Sequence, residues 1–253
     1  MDNLDFKLKL LTGKSVHTDG FDIRPKTIGE IVEVGYTVHM AKAIFLSLDV
    51  DYFLKQLINT DGYMSLYESK HSLKPFEFFI SFSHGDFKKE FFSNLAYFLD
   101  IDIDNISIDK VTQNLNLKLS DDDIKPIDRE SFDNIVKIIR FQNNLESAKK
   151  ATIEEDPADE KARKLLEKMR KNREKIEEKK AEDSDSLDFY DIVSSVTTRS
   201  NSINKLNVNQ ITIYQLYDEF SRLGMIDTYE NSIQASMMGA KLENGIQHWS
   251  KPL

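Results

Sequence analysis

The sequence predicts an α+β protein that is predominantly helical. Three observations carry this: apolar residues recur at helical spacing over most of the chain, strand-like alternation is confined to short segments, and turn formers are scarce. Only five prolines and nine glycines occur in 253 residues, against sixteen Phe and nine Tyr, so a turn-rich β-sandwich is excluded while core material is ample.

Leu4, Phe6, Leu8 and Leu10 alternate with polar residues, the period of a strand with one buried face. Gly13 and Asp19-Gly20 supply turns, and residues 21–24 read as the returning strand, ended by Pro25. Thr27-Ile28-Gly29-Glu30 is a capping box, followed by Ile31, Val32 and Gly35 at helical spacing. The expectation is one helix from Thr27 to about Leu48, with a short helix over 51–58. Asp86 opens a helix with Phe87, Phe91, Phe92, Leu95 and Phe98 on one face. Residues 106–108 and 115–119 pair as strands through Gln113-Asn114, and Asp128 caps a helix with Phe132, Ile135, Val136 and Ile139. Residues 1–148 thus form an amino-terminal α+β domain with small β-hairpins.

Composition then shifts. Asp156-Pro157 is a helix start, and residues 157–182 hold ten Lys or Arg, seven Asp or Glu, and no aromatic. Glu160–Lys164 and Glu167–Lys171 each add about 0.2–0.5 kcal/mol to a solvated helix. Residues 149–186 are read as a charged helical connector, and 187–253 as a carboxy-terminal three-helix unit. Its first helix is capped by Ser186 and its second by Asn209, ending at Gly224. Asp227 opens the third.

The net charge of −9 disfavours phosphate backbones, and the lysines of 168–180 are interleaved with glutamates and lack stacking aromatics. Nucleic acid is therefore not the expected partner. Cysteine is absent, which removes disulfides and thiolate chemistry and suits a reducing compartment. No apolar run approaches the roughly 20 residues of a membrane span, and the acidic amino terminus lacks a signal-peptide pattern, so a soluble cytosolic protein is expected.

The five histidines, His17, His39, His71, His84 and His248, show no metal-ligand spacing. His39 reads as a core or boundary residue and His84 as a turn residue. The run from Asp100 to Asp104 opens like a calcium loop, but Asn105 and Val111 stand where Gly and Glu belong. An exposed strand edge or helix exit explains it better, and Asp121-Asp122-Asp123 reads as a solvated turn. No phosphate-binding loop or nucleophile elbow is present. The expectation is a non-enzymatic protein without catalytic residues, metal or cofactor. The rival of another class is a metal-dependent enzyme using Asp100, Asp102, Asp104 and a histidine.

Two segments resemble a known family. Residues 206–220 (Leu206-Asn207-Val208-Asn209-Gln210-Ile211-Thr212-Ile213-Tyr214-Gln215-Leu216-Tyr217-Asp218-Glu219-Phe220), with Ser202-Ile203-Asn204 before them and the terminus His248-Trp249-Ser250-Lys251-Pro252, are similar to bacteriophage tail assembly chaperones. Ile23-Arg24-Pro25-Lys26-Thr27-Ile28-Gly29-Glu30-Ile31 resembles the opening of the same proteins and of baseplate-hub assembly proteins. The resemblance implies binding to other phage tail proteins, the tape-measure protein among them, in the host cytoplasm. A permanent place in the virion, as a baseplate or tail-hub subunit, is the alternative. Self-association into a homo-oligomer is compatible with either. Such a protein needs apolar surface for its client, and the candidate partner-binding residues are Phe78, Phe79, Phe91, Phe92, Met225, Met237, Met238 and Trp249. The competing reading for each is ordinary core.

Overall fold

The computed structural model describes residues 3–50, 52, 74–81, 85–109, 111–120, 123–145, 187–240 and 245–252. The protein is α+β and predominantly helical, with a two-stranded and a three-stranded antiparallel sheet among these residues. No described helix is long and apolar enough to cross a membrane. The chain divides into two compact units: Met1–Leu145 with Leu206–Asp218, and Glu146–Lys205 with Glu219–Leu253.

The first unit begins with α1 (Asn3–Leu11), a helix where alternation predicts a strand. Phe6 and Leu10, four apart, turn the same way, Leu10 buried and Phe6 against the Phe141 ring, while Leu4 and Leu8 face solvent. A period of four is hidden inside a period of two, and packing selects it. The hairpin is instead β1 (Val16–Thr18) against β2 (Phe21–Ile23), Val16 opposite Ile23. Its turn residues Asp19 and Gly20 both have positive φ, 48° and 82°, as a type I′ turn requires.

Thr27 and Glu30 form the expected capping box at the start of α2 (Ile28–Val34). That helix stops at Gly35, whose φ of 95° breaks it from α3 (Tyr36–Ser47), so the single helix expected to about Leu48 is two. The helix expected at 51–58 lies, Tyr52 apart, outside the described residues. After α4 (Pro75–Ser81), α5 (Gly85–Leu99) buries Phe91, Phe92, Leu95 and Phe98, as its spacing predicts. β3 (Ile106–Ile108) pairs with β4 (Leu115–Ser120), Ile106 opposite Leu117. A third strand, β5 (Asp123–Ile127), takes in Asp123, the last residue of the expected solvated turn, whose Asp121 and Asp122 lie outside the described residues. Pro126 is tolerated because β5 is the sheet's edge. α6 (Arg129–Gln142) is capped by Asp128 and buries Phe132, Ile135 and Ile139.

The core is largely aromatic. Phe79 of α4 stacks on Phe91 of α5 at 4.4 Å and 6°, and meets Phe132 of α6 at 5.8 Å and Phe45 of α3 at 5.6 Å. One ring thereby joins four helices.

Residues 206–218 close this unit. Thr27 and Thr212 form an antiparallel bridge, and the Ile28 amide donates to the Ile211 carbonyl at 2.8 Å. Thr212 and Gln215 cap the next helix reciprocally, through Gln215 N–H to Thr212 Oγ1 at 3.2 Å and Thr212 N–H to Gln215 Oε1 at 2.9 Å. The cap is thus Thr212, not Asn209, which lies in a 3-10 turn. Gln215 also donates to the Leu11 carbonyl at 2.9 Å. At Gly29 an added Cβ would stand 3.0 Å from the Asn209 carbonyl oxygen. Alanine favours a helix by about 1 kcal/mol, but a backbone oxygen yields little. Gly29→Ala is therefore expected to lose about 1–2 kcal/mol in urea unfolding. A stabilised variant would mean that residues 206–212 do not rest there in solution.

The second unit contains α7 (Phe189–Arg199), capped by Asp188 and Asp191 rather than by Ser186, which lies outside the described residues. The connector 149–186 also lies outside them. α8 (Ile213–Met237) is one helix of 25 residues, and its first residues, to Asp218, belong to the first unit. The separate helices expected to end at Gly224 and start at Asp227 are continuous, which corrects the three-helix unit to two helices among the described residues. A helix-interior glycine costs only about 1 kcal/mol, and nothing lies within 4 Å of an added Cβ at Gly224, so no crowding forces a break there. Asp227 is an anchor instead: Arg199 donates to it at 2.9 Å and lies 3.5 Å from Glu230.

Candidate functional site

Among the described residues of the first unit, a polar cluster grows from residues 24–30. Pro25 ends β2 and sends Lys26 inward, while the capping box turns Glu30 back towards Arg24. The Arg24 guanidinium forks onto Glu30 at 2.6 and 2.9 Å and its Nε reaches Asp100 at 3.2 Å. That bond to Arg24, opposed by burial and helped by the Thr27 amide, holds the Glu30 carboxyl at about 2, well below its ordinary range. Lys26, with its side chain only 7% exposed, pairs with Asp100.

Asp100 follows the last residue of α5 with φ of 54°, in the left-handed region usually left to glycine. The Ile101 amide closes the helix end on the Ala96 carbonyl at 3.2 Å. The carboxylate that a glycine would lack is what holds Arg24 and Lys26.

Tyr97, in the last turn of α5, links this cluster to the interior. Lys26 Nζ lies 5.0 Å and Lys42 Nζ 5.6 Å from its ring centroid. Its hydroxyl is 2.9 Å from His39 Nδ1, and His39 Nε2 is 2.5 Å from Asn143 Oδ1. Burial, then the nearby charges of Glu30 and Asp100, push Tyr97 up to about 12. Above the cluster an open cleft of about 550 Å³ is lined by Lys26, Glu30, Glu33, Tyr97, Asp100 and Asp102 among others. Its walls are rich in carboxylate, which favours cationic groups. His39 is enclosed and the Tyr97 hydroxyl is engaged by it, so neither offers a proton to the cleft.

The residues read from sequence as partner-binding separate into two sets. Phe78, Phe79, Phe91 and Phe92 are core side chains of the first unit, brought together in the aromatic cluster. Met225 is half-buried on α8, and Met237 and Met238 at its end are 84% and 87% exposed. Trp249 is 40% exposed, and Arg222 donates to the Trp249 and Lys251 carbonyls at 3.4 and 2.7 Å. Asp102 caps a 3-10 turn over Ile103–Asn105, and among the described residues no group of His, Asp and Glu is placed to hold a metal ion. His71 and His84 lie outside those residues. The sequence places Arg24, Lys26 and Glu30 in a family-like segment and Asp100 at an exposed strand edge or helix exit, but not their meeting with Tyr97 and His39. The capping box was the one local signal that aims Glu30 at Arg24.

The geometry thus defines an ion-paired, half-open cleft fastened to an aromatic core. Residues 178–253 match the family model described as the YomV second domain, a phage-associated domain family. No curated protein and no solved structure matches the chain.

Proposed function

We propose that this chain is a non-enzymatic phage tail assembly protein that binds other tail proteins, of tape-measure type, during morphogenesis. The observation that carries the proposal is the match of residues 178–253 to a phage-associated domain. Within that same span stand the exposed Met237, Met238 and the partly exposed Trp249, flexible and aromatic side chains suited to an apolar client. The two segments that resemble tail assembly proteins, 23–31 and 206–220, also dock on each other through Thr27 and Thr212.

The test is co-expression with the tape-measure-type protein of the same phage, followed by gel filtration and mass spectrometry of purified particles. The complex is expected to coelute, and Met237→Glu with Met238→Glu to weaken it at least tenfold without lowering Tm. The protein is expected to be missing from mature particles. Presence there at fixed stoichiometry would instead make it a baseplate or hub subunit, and failure to bind any tail protein would end the proposal.

A further inference from the structure

The cluster described above contains a group with no part in the proposed binding role. His39 is fully enclosed, its ring edge-on to Tyr97 at 5.7 Å and Phe98 at 5.6 Å. Asn143 Nδ2 donates to the Ile139 carbonyl at 2.8 Å, which turns the amide oxygen towards His39 Nε2. The network therefore assigns the ring proton to Nε2 and leaves Nδ1 as acceptor for the Tyr97 hydroxyl. In the neutral ring both nitrogens are satisfied with the Tyr97 hydroxyl donating to Nδ1.

We infer that His39 is an acid-sensitive latch, in which uptake of one proton undoes its contact with Tyr97 and loosens the junction of α3, α5 and the carboxyl end of α6. A proton on Nδ1 places a donor against the Tyr97 hydroxyl, which must turn its own hydrogen away within packed surroundings. The neighbouring charges oppose the added one. Lys26 from the segment before α2 and Lys42 from α3 both lie over the Tyr97 ring, and the charged residue in the last turn of α6 is Arg140. The carboxylates on that side, Glu30 and Asp100, are already held by Arg24 and Lys26. Burial, with Lys26 adding to it and the Asn143 bond opposing, keeps His39 below its ordinary value of about 6.5.

The sign follows from linkage. The opened form binds the proton more readily, so the latch is fully effective above about pH 6.5 and weakens as pH falls below it. One proton makes the opening constant grow about tenfold per pH unit, until the folded ring itself titrates. Glu30 acts in a separate window: its carboxyl is held at about 2, so its contribution is intact above about pH 4.3 and lost between there and about 2.

Native-state hydrogen exchange between pH 7 and 5, corrected for intrinsic rates, tests the latch. Amides of α3, α5 and α6 in the wild-type chain are expected to change little above about pH 6.5 and to open about tenfold more per pH unit below it, and those of His39→Gln to stay flat. A flat wild-type profile, or the same rise in His39→Gln, would overturn the inference. Should His39→Gln fail to fold, the wild-type ring is followed by NMR instead. Titration that tracks the loss of protection supports the latch, whereas titration at the ordinary value with protection intact refutes it.

Discussion

Replacing Phe79 with alanine is expected to destabilise the first unit by about 3–5 kcal/mol, the cost of a large cavity in a packed core. The ring touches Phe45, Phe91 and Phe132, which come from three other helices, so no single element can move in to fill the space. Loss of the stacked and edge-on pairs adds about 0.5–1.5 kcal/mol per pair to the transfer term, within that range. Phe79→Leu keeps most of the volume and is expected to lose less than half as much. Urea unfolding followed by circular dichroism gives both values. If Phe79→Ala instead unfolds like the wild type and only loses a tail-protein partner, the ring serves an interface and its core position is wrong.

The second large effect lies at Asp100, where three substitutions separate backbone from charge. Asp100→Ala keeps a left-handed backbone that costs about 1–2 kcal/mol and also strips the counter-ion from Lys26, so a loss of about 3 kcal/mol is expected. Asp100→Gly relieves the backbone but not the lysine, and should cost about 1–2 kcal/mol; the Asp100 side chain is half exposed, which limits the electrostatic part. Asp100→Asn tolerates the backbone and keeps an acceptor, so it should resemble glycine. Adding Lys26→Met to Asp100→Gly is expected to recover most of the loss, because the uncompensated ammonium is then gone. A stabilised Asp100→Gly would show that the ion cluster contributes nothing net.

Much of the fold was legible where a residue's role is local. Thr27 and Glu30 announce a helix start because the cap is made within four residues, and Asp128 does likewise. α5 was readable because Phe91, Phe92, Leu95 and Phe98 are both periodic and buried. The failures share a cause, in that tertiary context outvoted a local signal. Leu4 to Leu10 satisfies strand and helix periods together, and the burial of Leu10 with the packing of Phe6 on Phe141 decides between them. Gly224 reads as a stop, yet its modest cost is absorbed by a 25-residue helix. β5 was not legible, because a strand holding Pro126 is tolerated only at a sheet edge, and the edge is set by the pairing with β4. The cleft was the least legible part, since Arg24 and Asp100 are 76 residues apart and His39 and Asn143 are 104 apart.

The closure of the first unit by residues 206–218 has a consequence for biosynthesis. Leu11 and Gln215 are 204 residues apart, and at 5–20 residues per second a ribosome needs about 10–40 s to travel from one to the other. Until then the nascent amino-terminal portion lacks its last structural piece and keeps Thr27, Ile28 and Gly29 uncovered. Its maturation is therefore timed by translation of a distant stretch of message, and a premature stop before codon 212 would release a product with that seam open.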